Sequence, residues 1–187
     1  MKKYIKNIVP VAALLLTMGT ATSCVGDLDV TPINPNIQTG LNIDGLFNKC
    51  YANFALAGNG GANGDCDIDG IDGGTSGFVR QTFNANELPT DEAICGWGDD
   101  GIAGFCYNSY NATNPMLTGL YARITTGIAY CNQYLAEAGD QDATKLAEIR
   151  FLRAYENLSL MDGWCNIPFT LQPLTKPERY TRAQVYE

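Results

Sequence analysis

Trp97 stands between Gly96 and Gly98, with Asp99 and Asp100 directly behind it and Tyr107 and Tyr110 a few residues on. An indole offers a broad flat apolar surface with one N–H donor, and neighbours without side chains would leave it accessible. The alternative is a packed core residue, since tryptophan is often largely buried. Asp99, Asp100, Tyr107 and Tyr110 are polar and aromatic companions to it, or else parts of a solvated loop. Two other groupings could carry chemistry. Asp65, Asp67, Asp69 and Gly70 match the first half of a calcium loop, but Ser76 occupies the twelfth position where a bidentate Glu is needed, so a structural turn is the expectation and no metal is assigned. Glu87 and Asp91 could serve as a glycosidase pair if they stood about 5 Å or 6.5–9.5 Å apart. Both also suit capping or turn roles, and no nucleophile motif accompanies them. The chain has no histidine, which excludes Ser-His-Asp and Cys-His systems and every zinc site that needs imidazole. No cofactor motif is present, and the chain reads as a non-enzyme.

These residues need a scaffold, and helical periodicity supplies most of it. Ile43, Leu46, Phe47, Cys50 and Phe54 form one helical stripe, with Asp44 near its positive end. Residues 58–77 are so rich in Gly and Asp that a long loop is expected. Phe78, Val79, Thr82 and Phe83 indicate a short helix, ended by Pro89, with Thr90 placed to cap a turn carrying Asp91 and Glu92. Leu117, Leu120, Tyr121, Ile124, Ile128, Cys131 and Leu135 hold one face over about five turns. After a break at Gly139, a second stripe of Ala147, Phe151, Ala154, Tyr155, Leu158 and Met161 begins behind a capping Asp142 and is ended by Gly163. Arg153 and Glu156 are spaced to pair along that helix. Two such helices joined by a short turn make an antiparallel hairpin, and the fold class is mostly α. A Pro-rich stretch follows from Asn166, and residues 181–187 start a further helix.

The N-terminus directs the chain elsewhere. A basic start (Lys2, Lys3, Lys6), an apolar run over residues 8–18 and small residues up to Ser23 read as a secretory signal over 1–23, too short to span a bilayer. Cys24 directly follows those small residues, which suggests lipidation there, although Ala21 stands where leucine is usual; the alternative is an ordinary signal with an incidental cysteine. Acyl chains contribute about 0.8 kcal/mol per buried CH₂, so several would anchor the chain stably. Residues 24–42, rich in Pro, Asn and Asp, read as an extended tether. Removing the three lysines from the 12 basic residues leaves nine against 20 acidic, and so acidic a chain repels phosphate backbones; nucleic acid is not a partner. Of seven cysteines, lipidation of Cys24 leaves six, which either pair in an oxidising compartment or remain small buried thiols. No CxxC occurs and no connectivity follows.

In this order the pieces resemble the SusD/RagB family, the glycan-binding lipoproteins of Bacteroidetes. The resemblance rests on the cysteine start with Asp27-Leu28-Asp29, similar to a surface-export signal, and on the Asp-Gly loop of residues 65–77. It rests equally on Asn86-Glu87-Leu88-Pro89-Thr90-Asp91-Glu92, on Ala147-Glu148-Ile149-Arg150-Phe151-Leu152-Arg153-Ala154, and on Gly163 through Pro168-Phe169. It runs over nearly the whole chain, with residues 43–187 as an N-terminal domain; family members are much longer, so a truncated product is expected. The resemblance implies tetratricopeptide-like hairpins, an outer-membrane surface location and a TonB-dependent SusC-type transporter as partner, to which the lipoprotein delivers oligosaccharide for nutrient uptake. It places Trp97 where starch-binding members stack a sugar, with Asp99, Asp100 and Tyr107 as further glycan-binding candidates. Asp100 departs from the amide those members use: an ionised Asp accepts hydroxyl hydrogen bonds but cannot donate. The rivals to glycan capture are a structural surface lipoprotein or lid without its own glycan site, and a carboxylate-based glycosidase.

Overall fold

The computed structural model describes residues 41–58, 66–139 and 142–187. The signal, Cys24, nearly all of the tether and Asp65 lie outside the described residues. Five helices come first: α1 (Ile43–Ala55), α2 (Phe78–Glu87), α3 (Ile102–Cys106), α4 (Pro115–Glu137) and α5 (Ala143–Trp164). An antiparallel pair of short strands follows, β1 (Ile167–Phe169) and β2 (Glu178–Tyr180), and then α6 (Arg182–Tyr186). The described fold is mostly α, and none of its helices is long and apolar enough to cross a membrane.

Helix starts are dictated by capping. The Asn42 side-chain oxygen accepts from the Gly45 N–H at 2.9 Å, and Asn114 does the same for Met116 and Leu117 ahead of Pro115, whose fixed φ suits the first helical position. Asp142 accepts from Thr144 and Lys145 at 2.9 and 3.2 Å, as its place before the second stripe predicts. Gly139, in the left-handed region at φ 59°, turns the chain between α4 and α5, which form the expected hairpin. Gly163 does not end α5. The helix runs on to Trp164, and Cys165 breaks it at φ 60°.

The face that α5 buries is not the predicted one. Ile149, Leu152, Glu156, Asn157, Leu160 and Met161 are buried, whereas Ala147, Phe151, Ala154, Tyr155 and Leu158 are exposed; of the predicted stripe only Met161 is buried. The error has a physical cause: two positions of the true inner face carry Glu and Asn, so apolar periodicity points elsewhere. The same displacement occurs in α2, which buries Phe78, Gln81 and Asn84 and exposes Val79 and Phe83. The strand pair was missed because three-residue strands are too short to display alternation; Ile167, Pro168 and Phe169 face Tyr180, Arg179 and Glu178, and Phe169 stacks on Tyr180 at 4.9 Å.

Buried polar residues on the inner faces meet in one network. Arg123 of α4 is fully buried, and its guanidinium donates to the Ser76 carbonyl (2.9 Å), the Asn53 Oδ1 (3.3 Å) and the Ser76 Oγ (3.2 Å), and pairs with Asp67 at 2.8 Å. Burial raises the Asp67 carboxyl, but the hydrogen bond and charge of Arg123 outweigh it and hold the group below its ordinary range. Asn53 Nδ2 in turn donates to Glu156 Oε1 at 2.8 Å. Arg153 and Glu156 do not pair: Arg153 donates to Asn132 at 2.9 Å, and Glu156 points inward. Burial pushes the Glu156 carboxyl up to about 9, the adjacent Cys131 adds to the shift and the Asn53 hydrogen bond opposes it. Glu156 is therefore a neutral acid at pH 7. The space it occupies exists because residue 127 is glycine: a Cβ there would lie 1.7 Å from Glu156 Oε1 and 2.2 Å from Asn53 Nδ2.

Around this network the apolar core has three parts. Phe78, Leu120, Ile124, Ile128, Leu160, Met161 and Ile167 form the first. Cys50, Cys131, Tyr134, Ala138, Ile149 and Leu152 join α1 to the hairpin. Leu88, Ile102, Phe105 and Met116 form a smaller group at the other end, with Ala93, Cys95 and Cys106 packed against it.

Candidate glycan-contact surface

The smaller core group positions the Trp97 segment. Leu88 and Ile102, 2% and 1% exposed, anchor the two ends of an irregular stretch. Between them Ala93 and Cys95 turn inward against the same group. Ile94, Gly96, Trp97 and Gly98 are consequently turned outward, all of them exposed. The segment returns to the helix through Gly101, whose φ of 91° favours glycine and whose Cβ, were there one, would stand 2.7 Å from the Asn114 side chain. The Asn114 amide also donates to the Gly101 carbonyl at 3.0 Å, so the residue that caps α4 secures the end of the loop. Beyond α3, Asn108 donates to the Pro89 carbonyl at 3.0 Å and ties the far side of the segment back to its start.

Trp97 is 66% exposed, which removes the packed-core alternative. Its ring is held from one side: the Arg80 guanidinium carbon lies 4.9 Å from the ring centroid, within cation–π range. The same guanidinium donates to the Gly74 carbonyl and pairs with Asp99. One arginine of α2 thus links the Asp-Gly loop, the indole and the acid two residues behind it. Asp99 is thereby committed to Arg80, whereas Asp100 is exposed. Tyr107, at the end of α3, is 75% exposed, and Tyr110 partly so, with its ring 5.1 Å from that of buried Phe105. The arrangement offers an aromatic face, a cation locked beneath it and a carboxylate acceptor, on an open surface. An open depression of about 590 Å³ lies elsewhere, between α2, α4 and α5, and none of Trp97, Asp99, Asp100 or Tyr107 lines it.

The remaining candidates have other surroundings. Asp67 is engaged by Arg123, and Asp69 is exposed in a turn; among the described residues no group of three or more potential ligands is placed to hold a metal ion. Glu87 and Asp91 lie at the end of α2 and in the turn after it. The Glu87 carbonyl accepts from the Thr90 N–H and hydroxyl, and the Glu92 N–H donates to Thr90 Oγ1 at 3.1 Å, which is the turn that the sequence suggested. Arg80 went unread in the sequence. Its only signal was a cation inside the apolar start of a helix, Phe78-Val79-Arg80, directly after a glycine-rich loop.

No family model matches the chain. Among curated proteins, the chain is 39% identical over 174 residues to the starch-binding protein SusD of Bacteroides thetaiotaomicron, a match that covers 89% of this chain and 31% of that protein. The chain spans about a third of the length of the curated relative it matches. With identity of that order over nearly nine-tenths of its residues, and the mostly helical fold that the likeness led one to expect, the chain is SusD-like.

Proposed function

We propose that this chain is part of a surface lipoprotein that captures starch-like oligosaccharide and passes it to a TonB-dependent SusC-type transporter, without hydrolysing it. The observation that carries the reading is the display of Trp97: a two-thirds-exposed indole, flanked by glycines and supported from one side by Arg80. Sugar rings present C–H faces that stack on such a surface, and their hydroxyls need acceptors and donors at its rim. Asp100 and the indole N–H are suited to that, with Tyr107 as a second exposed ring. A glycosidase would need two carboxyl groups facing one bond; the likeness to a protein named for binding starch favours capture over hydrolysis. The match to a protein named for starch binding supports the choice of glycan. Cys24 as the lipid anchor, residues 1–23 as the signal, the outer-membrane location and tetratricopeptide-like packing of the hairpin belong to the same proposal.

The decisive experiment is affinity electrophoresis of the 187-residue chain in gels containing amylopectin or another polysaccharide, beside Trp97→Ala. Retardation of the parent and at least tenfold weaker binding by the variant, with an unchanged unfolding midpoint, is the expected result. Equal retardation of both would move the site away from Trp97. A parent that runs unretarded in every polysaccharide would leave a structural lid as the better description. Loss of radiolabelled palmitate incorporation in Cys24→Ser, expressed in a host that processes lipoproteins, tests the anchor separately.

A further inference from the structure

The six described cysteines occupy three kinds of surroundings. Cys50 and Cys131 are fully buried in one apolar group. Cys66 is engaged by the Ser76 hydroxyl at 3.1 Å and lies 3.8 Å from Arg123, and Cys165 is exposed at the end of α5. Cys95 and Cys106, partly exposed like Cys66, differ from all of these in standing together: both pack on the same core group of Leu88, Ile102, Phe105 and Met116, and they bracket the segment that carries Trp97, Asp99 and Asp100. The Cys106 Sγ lies 4.0 Å from the Cys95 carbonyl oxygen. The chain thus returns at Cys106 to the backbone of Cys95, eleven residues earlier, and both residues pack on one core group.

We propose that Cys95 and Cys106 are an oxidative modification site, joined by a thiol–disulfide oxidant into a bridge that closes the Trp97 loop. The chemistry is two successive exchanges. The thiolate of one cysteine attacks the oxidant's disulfide, forms a mixed disulfide and releases one reduced thiol. The thiolate of the second cysteine then attacks the protein sulfur of that mixed disulfide and releases the other. Two electrons pass to the oxidant's disulfide, and the two protons lost by Cys95 and Cys106 end on its two thiols. The bridge would fasten the inward-facing Cys95 of the loop to the end of α3, so that Trp97 is presented from a closed ring of chain in place of an open strap. This concerns the loop's covalent state and stands whether or not the indole binds glycan.

Glutathione disulfide is a suitable oxidant for the test. The folded 187-residue chain is incubated with it, remaining thiols are alkylated with iodoacetamide, and the protein is digested with trypsin. No Lys or Arg lies between Arg80 and Arg123, so residues 81–123 come off as one peptide holding Cys95 and Cys106 and no other cysteine. Expected is that this peptide is unalkylated and lighter than the dithiol form by two hydrogens. A second cleavage before Asp99 should leave its halves joined until a reductant is added. Alkylation of both residues after oxidation would overturn the proposal. So would persistent glutathione adducts, linkage of either cysteine to Cys50, Cys66, Cys131 or Cys165, or a 95–106 linkage no more frequent in the folded protein than in guanidinium chloride.

Discussion

Arg80 and Arg123 are built into two networks of the same design and opposite consequence. Each arginine extends from a helix to the Asp-Gly loop: Arg123 donates to the Ser76 carbonyl, and Arg80 to that of Gly74. Each pairs with one aspartate, Asp67 or Asp99. Arg123 is fully buried, with its guanidinium surrounded by acceptors from Asn53, Asp67 and Ser76. Arg80 retains about a quarter of its side-chain exposure, its Nε has no hydrogen-bond partner among the described residues, and it leans on an indole that faces solvent. The buried network ties residues 67 and 76 of the loop to α4, and the surface network links Gly74 between them to the Trp97 segment. A charged group contributes differently in the two settings, because desolvation makes an uncompensated buried charge costly while solvent screens an exposed pair.

The largest effects should therefore fall on the buried side. Arg123→Met strands Asp67, Asn53 and the Ser76 carbonyl together, and breaking a buried pair by removing one partner costs about 3–5 kcal/mol; urea unfolding should show it, and a loss below about 1 kcal/mol would place Arg123 with Arg80. Gly127→Ala attacks the same network by volume. Its methyl would meet the Glu156 carboxyl and the Asn53 amide at distances no real contact adopts, so those two buried side chains must leave their places in the network. Overpacking of this kind costs roughly 1–3 kcal/mol. Gly96→Ala meets no atom within 4 Å and should be nearly silent in the same assay.

Glu156 gives the comparison a pH dependence. Its folded carboxyl titrates near 9, against an ordinary value of 4.5. Between those values the unfolded chain has released its proton and the folded chain has not, so the folded state binds more protons. Stability then falls as pH rises through that window and levels off above it. Glu156→Gln keeps a neutral hydrogen-bonding group and removes the ionisation. The variant should match the parent near pH 4.5 and exceed it by more than about 1 kcal/mol at pH 8. Denaturation curves at the two pH values that ran parallel for parent and variant would mean that Glu156 is ionised in the fold.

Where apolar spacing agreed with burial, the sequence could be read directly. The α4 stripe, the Asp142 cap and the Gly139 break belong to this class, because each depends on local chemistry. It failed where polar residues occupy inner faces. Arg123 interrupts Leu120, Ile124 and Ile128 on a buried stripe, and Glu156 and Asn157 interrupt the one on α5. Those interruptions were the legible trace of the network: a charge recurring in phase with an apolar face is either an error of phase or a buried, satisfied group. The surface was half legible. Trp97 between two glycines left an exposed ring and a packed one as alternatives, whereas its link to Arg80 joins residues 17 positions apart through a loop, and no local pattern encodes that contact.

On the exposed side the stability effects should be small and the binding effects separable from them. Trp97→Ala removes a ring that buries little, so its unfolding free energy should change by less than about 0.5 kcal/mol, while a tenfold or greater loss of affinity for an oligosaccharide corresponds to about 1.4 kcal/mol. Arg80→Lys should have the smallest effect and discriminates most finely. Lysine keeps the charge, but its point-like ammonium cannot hold the Gly74 carbonyl, the Asp99 carboxylate and the indole face together as a planar guanidinium does. Since the pair is partly solvated, stability should fall by no more than about 1 kcal/mol. If Arg80 acts by aiming Trp97, affinity in this variant should fall a few-fold, and Arg80→Lys combined with Trp97→Ala should bind no more weakly than Trp97→Ala alone. Additive losses in that double-mutant cycle would mean that Arg80 contacts the ligand independently of the ring it supports.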